Sequence, residues 1–170
     1  MNLQSKIREI PDWPKNGVTF YDITPLLQDP ASFKCTIDKF VDFFKKEKVD
    51  KVVGIDARGF LLAAPIAYNL GVGVAIVRKK GKLPYSTLLQ EYDLEYDSNI
   101  LEIHTDAIMP GERVLIIDDV LATGGTAKAT VLLVEQLKGQ VAGLGFLMDL
   151  TFLKGKDKLK NYNILSLVDY

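Results

Sequence analysis

Histidine, cysteine and tryptophan occur once each in this chain of 170 residues. The lone cysteine, Cys35, excludes an intrachain disulfide and gives no support to a secreted, disulfide-stapled fold. The lone histidine, His104, has no Cys, Asp or Glu partners at metal-ligand spacing and is read as structural. An excess of one charge is also missing. Twenty-one Lys and Arg oppose 22 Asp and Glu, a formal net charge of −1, which removes the compositional argument for a nucleic-acid partner. No apolar run approaches the roughly 18 residues of a membrane span. The first eight residues, Met-Asn-Leu-Gln-Ser-Lys-Ile-Arg, hold no apolar stretch of a secretory signal. A cytoplasmic protein is expected. No repeat, low-complexity tract or linker interrupts the chain, and 48% hydrophobic with 25% charged residues predicts one domain, 1–170, with a substantial core.

What the chain does have is the stretch 114–127, Val-Leu-Ile-Ile-Asp-Asp-Val-Leu-Ala-Thr-Gly-Gly-Thr-Ala. Its first four residues form a short apolar, β-branched run, the pattern of a fully buried parallel strand. Asp118 and Asp119 stand where that strand should end. Ala122, Thr123, Gly124, Gly125 and Thr126 follow, and a helix begins directly. Glycine permits a tight turn and close ligand approach. The free N–H groups and the dipole at the helix N-terminus favour an anion. Thr123 and Thr126 can each donate a hydroxyl hydrogen bond, and the two aspartates can accept from sugar hydroxyls. A sugar 5-phosphate fits such a turn. The loop lacks the Gly-Lys-Ser/Thr ending of a Walker A motif and the Gly-x-Gly-x-x-Gly spacing of a dinucleotide fingerprint. The competing reading is an ordinary strand-to-helix turn that uses glycine for geometry.

Elsewhere the pattern alternates between strand and helix. A short helix over 3–9 precedes a Pro- and Gly-punctuated loop over 10–17 and an extended segment over 18–24. Asp29 as N-cap and Pro30 at the first helical position open an amphipathic helix of about five turns, with Phe33, Ile37, Phe40, Val41 and Phe44 on its core face. Strands are expected over 51–56, 73–77, 141–149 and 163–168, and helices over 60–70 and 126–138, with a short helix or turn over 154–160. Residues 88–94 and 100–104 read as an antiparallel hairpin or flap beside the sheet. The expectation is an α/β fold: a mostly parallel, twisted sheet with helices on both faces. Ligands of such sheets bind at the carboxyl ends of the strands. The loops 56–59, 78–82 and 118–126 should therefore converge.

Arg58 offers a planar fork for phosphate oxygens. A turn arginine that is solvated or paired with Asp56 is the alternative. The run Arg78-Lys79-Lys80-Gly81-Lys82 reads as a polyanion site or as a solvated basic loop. Glu95 and Tyr96 fall near the hairpin tip, where a carboxylate could handle a proton or simply face solvent.

The stretch 114–127 closely resembles the 5-phosphoribosyl-1-pyrophosphate (PRPP) signature of type I phosphoribosyltransferases. The resemblance extends to 17–30, 56–60, 78–84 and 92–96, in order and over nearly the whole chain, and together these segments are similar to the adenine phosphoribosyltransferase family. It implies purine salvage: adenine and PRPP give AMP and pyrophosphate, with Mg2+ held mainly through PRPP and water. It implies a hood over about 1–28 and a flap over about 84–106. Ala122, Thr123, Gly124, Gly125 and Thr126 would hold the 5′-phosphate, and Asp118 and Asp119 would face the ribose. Ala57, Arg58 and Gly59, with Arg78, Lys79, Lys82 and Tyr96, would serve pyrophosphate. Thr19, Phe20, Tyr21 and Val120 would surround adenine, with Phe20 and Val120 sandwiching the ring. Glu95 would be the general acid/base. A basic loop reaching across a subunit interface implies a homodimer. Tyr21 departs from the arginine of many relatives, Asp97 from a common glycine, and Thr19 from an apolar residue. The runner-up activities are transfer to hypoxanthine, guanine or xanthine, and non-catalytic PRPP sensing. A sensor needs a DNA-binding module, and these residues hold no spare segment or basic helix for one.

Overall fold

A computed structural model describes residues 1–93 and 98–170. Along the chain come β1 (Arg8–Ile10), β2 (Phe20–Asp22), α1 (Thr24–Gln28), α2 (Pro30–Phe44), β3 (Lys51–Ile55), α3 (Gly59–Leu70), β4 (Gly73–Lys79), β5 (Thr87–Asp93), β6 (Ser98–His104), β7 (Arg113–Leu121), α4 (Gly125–Gln136), β8 (Gln140–Asp149) and β9 (Ile164–Asp169). Among the described residues, seven strands form one sheet in the order β5-β6-β4-β3-β7-β8-β9. The run β4-β3-β7-β8-β9 is parallel. The hairpin β5-β6 is antiparallel and joins the edge through Arg78 and Lys79 of β4, which face Glu102 and Leu101. A separate antiparallel ribbon pairs β1 with β2.

The apolar run of β7 is continuous because both its faces are covered. Val114 and Ile116 join the core under α4, with Val53, Ile55, Val131 and Val134. Leu115 and Ile117 join the opposite core, with Val52, Leu62, Ile66, Phe40 and Phe44 under α2 and α3. Helices therefore lie on both faces, as the alternation predicted. In α2, the Asp29 carboxylate accepts from the Ser32 N–H and hydroxyl, and Pro30 stands in the first turn. Phe40 and Phe44 are fully buried. Gly143 and Gly145 of β8 leave them room: a Cβ at Gly143 would lie 2.6 Å from the Phe44 ring, and one at Gly145 2.9 Å from Phe40.

Local propensity misplaced several boundaries. The helix expected over 3–9 is a 3-10 turn at Gln4–Lys6 followed by β1, because Arg8, Glu9 and Ile10 find backbone partners on β2. Thr24 opens α1 rather than ending an extended segment, with Asp22 accepting from its N–H at 2.9 Å. α2 has 15 residues, about four turns rather than five. The basic run 78–82 is partly strand, since Arg78 and Lys79 belong to β4. β7 continues through Asp118 and Asp119 to Leu121, because β8 keeps pairing with it to Asp149. Among the described residues, no helix is long and apolar enough to cross a membrane.

Candidate active site

The chain turns sharply after Leu121. Gly124 adopts a left-handed conformation, φ +78°, and α4 starts at the next residue. A cavity of about 110 Å³ opens at this helix N-terminus, lined by Asp118 and residues 120–127. Its floor is tied down from an unexpected side. Leu150 N–H donates to the Leu121 carbonyl at 2.9 Å. The buried Gly155 lies backbone-to-backbone against the turn: a Cβ on Gly124 would meet the Gly155 carbonyl oxygen at 2.5 Å, and one on Gly155 would overlap the Ala122 carbonyl. The segment carrying Gly155 is held by Lys156, whose Nζ lies 2.8 Å from the buried Asp149 carboxylate.

Asp118 and Asp119 are 8% and 4% exposed, and Asp118 lines this cavity. Asp119 N–H donates to Asp118 Oδ1 at 2.9 Å. Burial, and then the neighbouring Asp119 carboxylate, push the Asp118 carboxyl well above the usual range. Burial pushes Asp119 up as well, against the opposing pull of Arg58. Arg58 Nη2 lies 2.7 Å from Asp119 Oδ2, a close ion pair without hydrogen-bond alignment. Gly59 permits this approach, because a Cβ there would lie 2.9 Å from Asp118 Oδ1 and from the Ile117 carbonyl. The Asp56–Ala57 peptide in the same loop is cis.

Arg58 also reaches the ribbon. Its Nη1 donates to the Tyr21 carbonyl at 3.3 Å, and its guanidinium lies 5.0 Å from the Phe20 ring centroid. Phe20 packs edge-on against Trp13 at 4.5 Å. One side chain thus joins the Asp118–Asp119 pair to a residue predicted to face the base. Val120 lines the cavity, and Thr19 is exposed. The Tyr21 ring turns elsewhere, stacking on Tyr170 at 4.2 Å, so only its backbone carbonyl meets the site's arginine.

Arg58 does not pair with Asp56. That partner belongs to Arg78, at 3.1 Å. Lys79 and Lys82 are exposed. The turn beyond β4 is organised by Glu102, a residue the sequence reading passed over. Its buried carboxylate accepts the Lys82 and Leu83 N–H groups, each at 2.7 Å. Burial pushes this carboxyl up, but the backbone donors of Leu83, Gly81 and Lys82 outweigh it and hold it below its ordinary value. Towards the tip end of the hairpin, where it pairs with Asn99, Tyr92 meets the glycine-rich turn: Thr126 Oγ1 donates to its phenol oxygen at 3.1 Å. Glu95, Tyr96 and Asp97 lie outside the described residues. His104 lines a different cavity with Val74 and Ile76.

The loops 56–59 and 118–126 and the ribbon residue Phe20 thus converge, while the basic turn joins them through Arg78 and Asp56. Gly155, Glu102 and Tyr92 are the additions. A turn glycine between two lysines was the available signal for Gly155, and an isolated carboxylate in the apolar strand Leu-Glu-Ile for Glu102.

The arrangement has close relatives. A family profile described as phosphoribosyl transferase domain matches residues 23–168. Adenine phosphoribosyltransferase of Clostridium perfringens is 56% identical over all of this chain and 99% of its own. The crystal structure of adenine phosphoribosyltransferase from Thermoanaerobacter pseudethanolicus superposes with a TM-score of 0.96 at 50% identity, covering 99% of this chain and 98% of that one. The Saccharomyces cerevisiae enzyme, complexed with an imino-altritol bisphosphate and adenine, gives 0.93 at 40% identity over 97% and 96%. With its turn at 118–126 in the same fold as these relatives, the chain belongs to the adenine phosphoribosyltransferase family of type I phosphoribosyltransferases.

Proposed function

We propose that this chain transfers the 5-phosphoribosyl group of PRPP to N9 of adenine, giving AMP and pyrophosphate. The carrying observation is the single turn that sets a phosphate-sized cavity at a helix N-terminus beside a buried diacid, with Arg58 linking that diacid to Phe20. Residues 122–126 hold the 5′-phosphate through backbone N–H groups and the Thr123 and Thr126 hydroxyls. Asp118 and Asp119 accept from the ribose hydroxyls. Arg58, with Ala57 and Gly59, receives pyrophosphate, and Arg78, Lys79 and Lys82 add positive charge. Phe20 and Val120 bracket the adenine ring, with Thr19 and Tyr21 beside them.

The C1–pyrophosphate bond breaks with its electron pair leaving on pyrophosphate, and C1 gains oxocarbenium character. The N9 lone pair forms the new bond, and the N9 proton passes to Glu95. Arginine and lysine side chains steady the leaving charge, while the enclosing loops hold two reactants in line and exclude water. Magnesium, when bound with PRPP, would offset the negative charge that develops on the departing pyrophosphate. Among the described residues no three His, Cys, Asp or Glu side chains meet in one cluster. The buried carboxylates of Asp118 and Asp119 are the oxygen donors that would lie nearest such an ion, which would draw its other ligands from PRPP and water.

A homodimer fits the same reading. Leu61 and Tyr68 of α3 and Val74 and Ile76 of β4 are exposed large apolar side chains, and Arg78 shares their strand. A monomer in sedimentation at working concentration would remove this assembly.

The test is a side-by-side assay of adenine, hypoxanthine, guanine and xanthine with PRPP and magnesium. AMP from adenine alone is expected. Product from an oxo-purine would overturn the base assignment, and no product with PRPP bound would favour a sensor. The relatives' activity favours neither alternative. In the same assay Glu95→Gln is expected to lower kcat by about 100-fold or more with little change in PRPP affinity. An unchanged kcat would take Glu95 out of the mechanism.

A further inference from the structure

Tyr92 stands on β5 at the head of the segment 92–96, where the resemblance gives roles to Glu95 and Tyr96 but none to Tyr92, yet its phenol touches the glycine-rich turn. The ring is half-buried and packs on the core beneath α4. Thr126 Oγ1 donates to its oxygen at 3.1 Å. Further along, Gln136 Nε2 of α4 donates to Gln90 Oε1 of β5 at 2.8 Å. Strand and helix are thus bonded at two points, and one of them uses a hydroxyl of the phosphate turn. We propose that Tyr92 is a positioning residue that ties β5 to the occupied 5′-phosphate turn through the Thr126 hydroxyl. This rests on residues 122–126 being that turn.

The reasoning follows from proton count. A threonine hydroxyl has one proton and two lone pairs. Thr126 Oγ1 has that one proton to give, and the Tyr92 phenol is an acceptor within reach at 3.1 Å. A phosphate oxygen is charged and is the stronger acceptor, so it takes that proton when it arrives. Thr126 Oγ1 then has lone pairs to offer, and the phenol proton turns onto it. The chain becomes Tyr92 O–H to Thr126 O–H to phosphate oxygen, in which each link polarises the next. Phosphate binding strengthens the contact between β5 and α4, and by reciprocity that contact tightens phosphate binding. β5 is also the strand that carries the chain towards Glu95, three residues beyond Tyr92.

Tyr92→Phe keeps the ring and removes only the hydroxyl. Two readouts are taken: steady-state kinetics, and hydrogen exchange of the β5 backbone with and without ribose 5-phosphate. In the parent, ribose 5-phosphate should slow exchange in residues 87–92. In Tyr92→Phe that protection should be lost, and KM for PRPP should rise about fivefold, with kcat and the KM for adenine within twofold. A purely structural role would lower the melting temperature without separating these constants. Parent protein that binds ribose 5-phosphate with no change in β5 exchange would overturn the proposal alone, as would a variant matching the parent in both readouts. Parent protein that fails to bind ribose 5-phosphate would overturn the reading of the turn itself, and this inference with it.

Discussion

Asp118→Asn is expected to raise the melting temperature while cutting activity at least tenfold. Asp118 is buried beside a second carboxylate, and both facts disfavour its charge. Its folded pKa therefore lies above its unfolded value. Below about pH 3.9, where the unfolded side chain also keeps its proton, Asp118 contributes nothing to the balance. As pH rises further, the unfolded chain ionises and the folded one holds its proton, so stability falls. The cost is complete once the folded carboxyl also titrates. Asparagine removes that cost and keeps an Oδ1 to accept the Asp119 N–H. Replacing a buried charge of this kind stabilises by roughly 1–2 kcal/mol, about 2–8 °C for a chain of this size. The gain should vanish near pH 3 and grow as the pH rises above the ordinary carboxylate range. Activity moves the other way. A charged acceptor for a ribose hydroxyl is worth about 1.5–3 kcal/mol, or roughly 10- to 150-fold in kcat/KM for PRPP. Calorimetry across pH, with kinetics on the same samples, checks both. A lower melting temperature at neutral pH would show that the carboxylate pair is not a burden. An unaltered kcat/KM would remove Asp118 from ribose recognition.

The second large effect is expected at Gly124. A left-handed backbone costs an alanine about 1–2 kcal/mol. The greater difficulty is steric. The new Cβ would stand 2.5 Å from the Gly155 carbonyl oxygen and 3.2 Å from its Cα. Both partners are backbone, so no side chain can rotate away, and the turn itself must move. The N–H groups of the α4 N-terminus then lose their aim at the phosphate. Loss of an oriented donor of this kind costs about 2.7–4 kcal/mol, so kcat/KM for PRPP should fall by 100-fold or more. Gly155→Ala should reproduce much of the loss from the other side of the contact, and the double variant should be far from additive. Kinetics of Gly124→Ala within threefold of the parent would mean that the turn can shift without harm.

The candidate site was legible in unequal parts. The glycine-rich turn could be read directly, because a phosphate cradle is made by consecutive residues whose spacing is itself the signal. The diacid was legible as a pair, but not as a continuation of β7. Strand ends depend on whether a neighbour goes on offering hydrogen bonds, and β8 does so as far as Asp149. Arg58 shows the same limit. Its near neighbour Asp56 was the natural local partner, yet the ion pair forms with Asp119, and Asp56 takes Arg78. Glu102 looked like an ordinary polar residue in a hairpin strand. Only folding buries it against the N–H groups of Lys82 and Leu83. Gly155 carried no ligand motif, and Tyr92 was given no role within the segment 92–96, since each meets the turn only in the folded chain.

By itself, the order of residues determined the α/β alternation, the buried parallel strand at 114–117, the Asp29 cap of α2, and the glycine-rich turn that opens α4. These are local matters: side-chain periodicity, capping and glycine geometry act within a few residues. Tertiary structure alone decided which arginine meets which aspartate, how far β7 runs, where the Tyr21 ring goes, and what supports the glycine-rich turn from behind. Those outcomes depend on distance in space and on competition among buried groups for partners. A carboxylate or an N–H taken out of water must find whatever counterpart the packed layers bring to it.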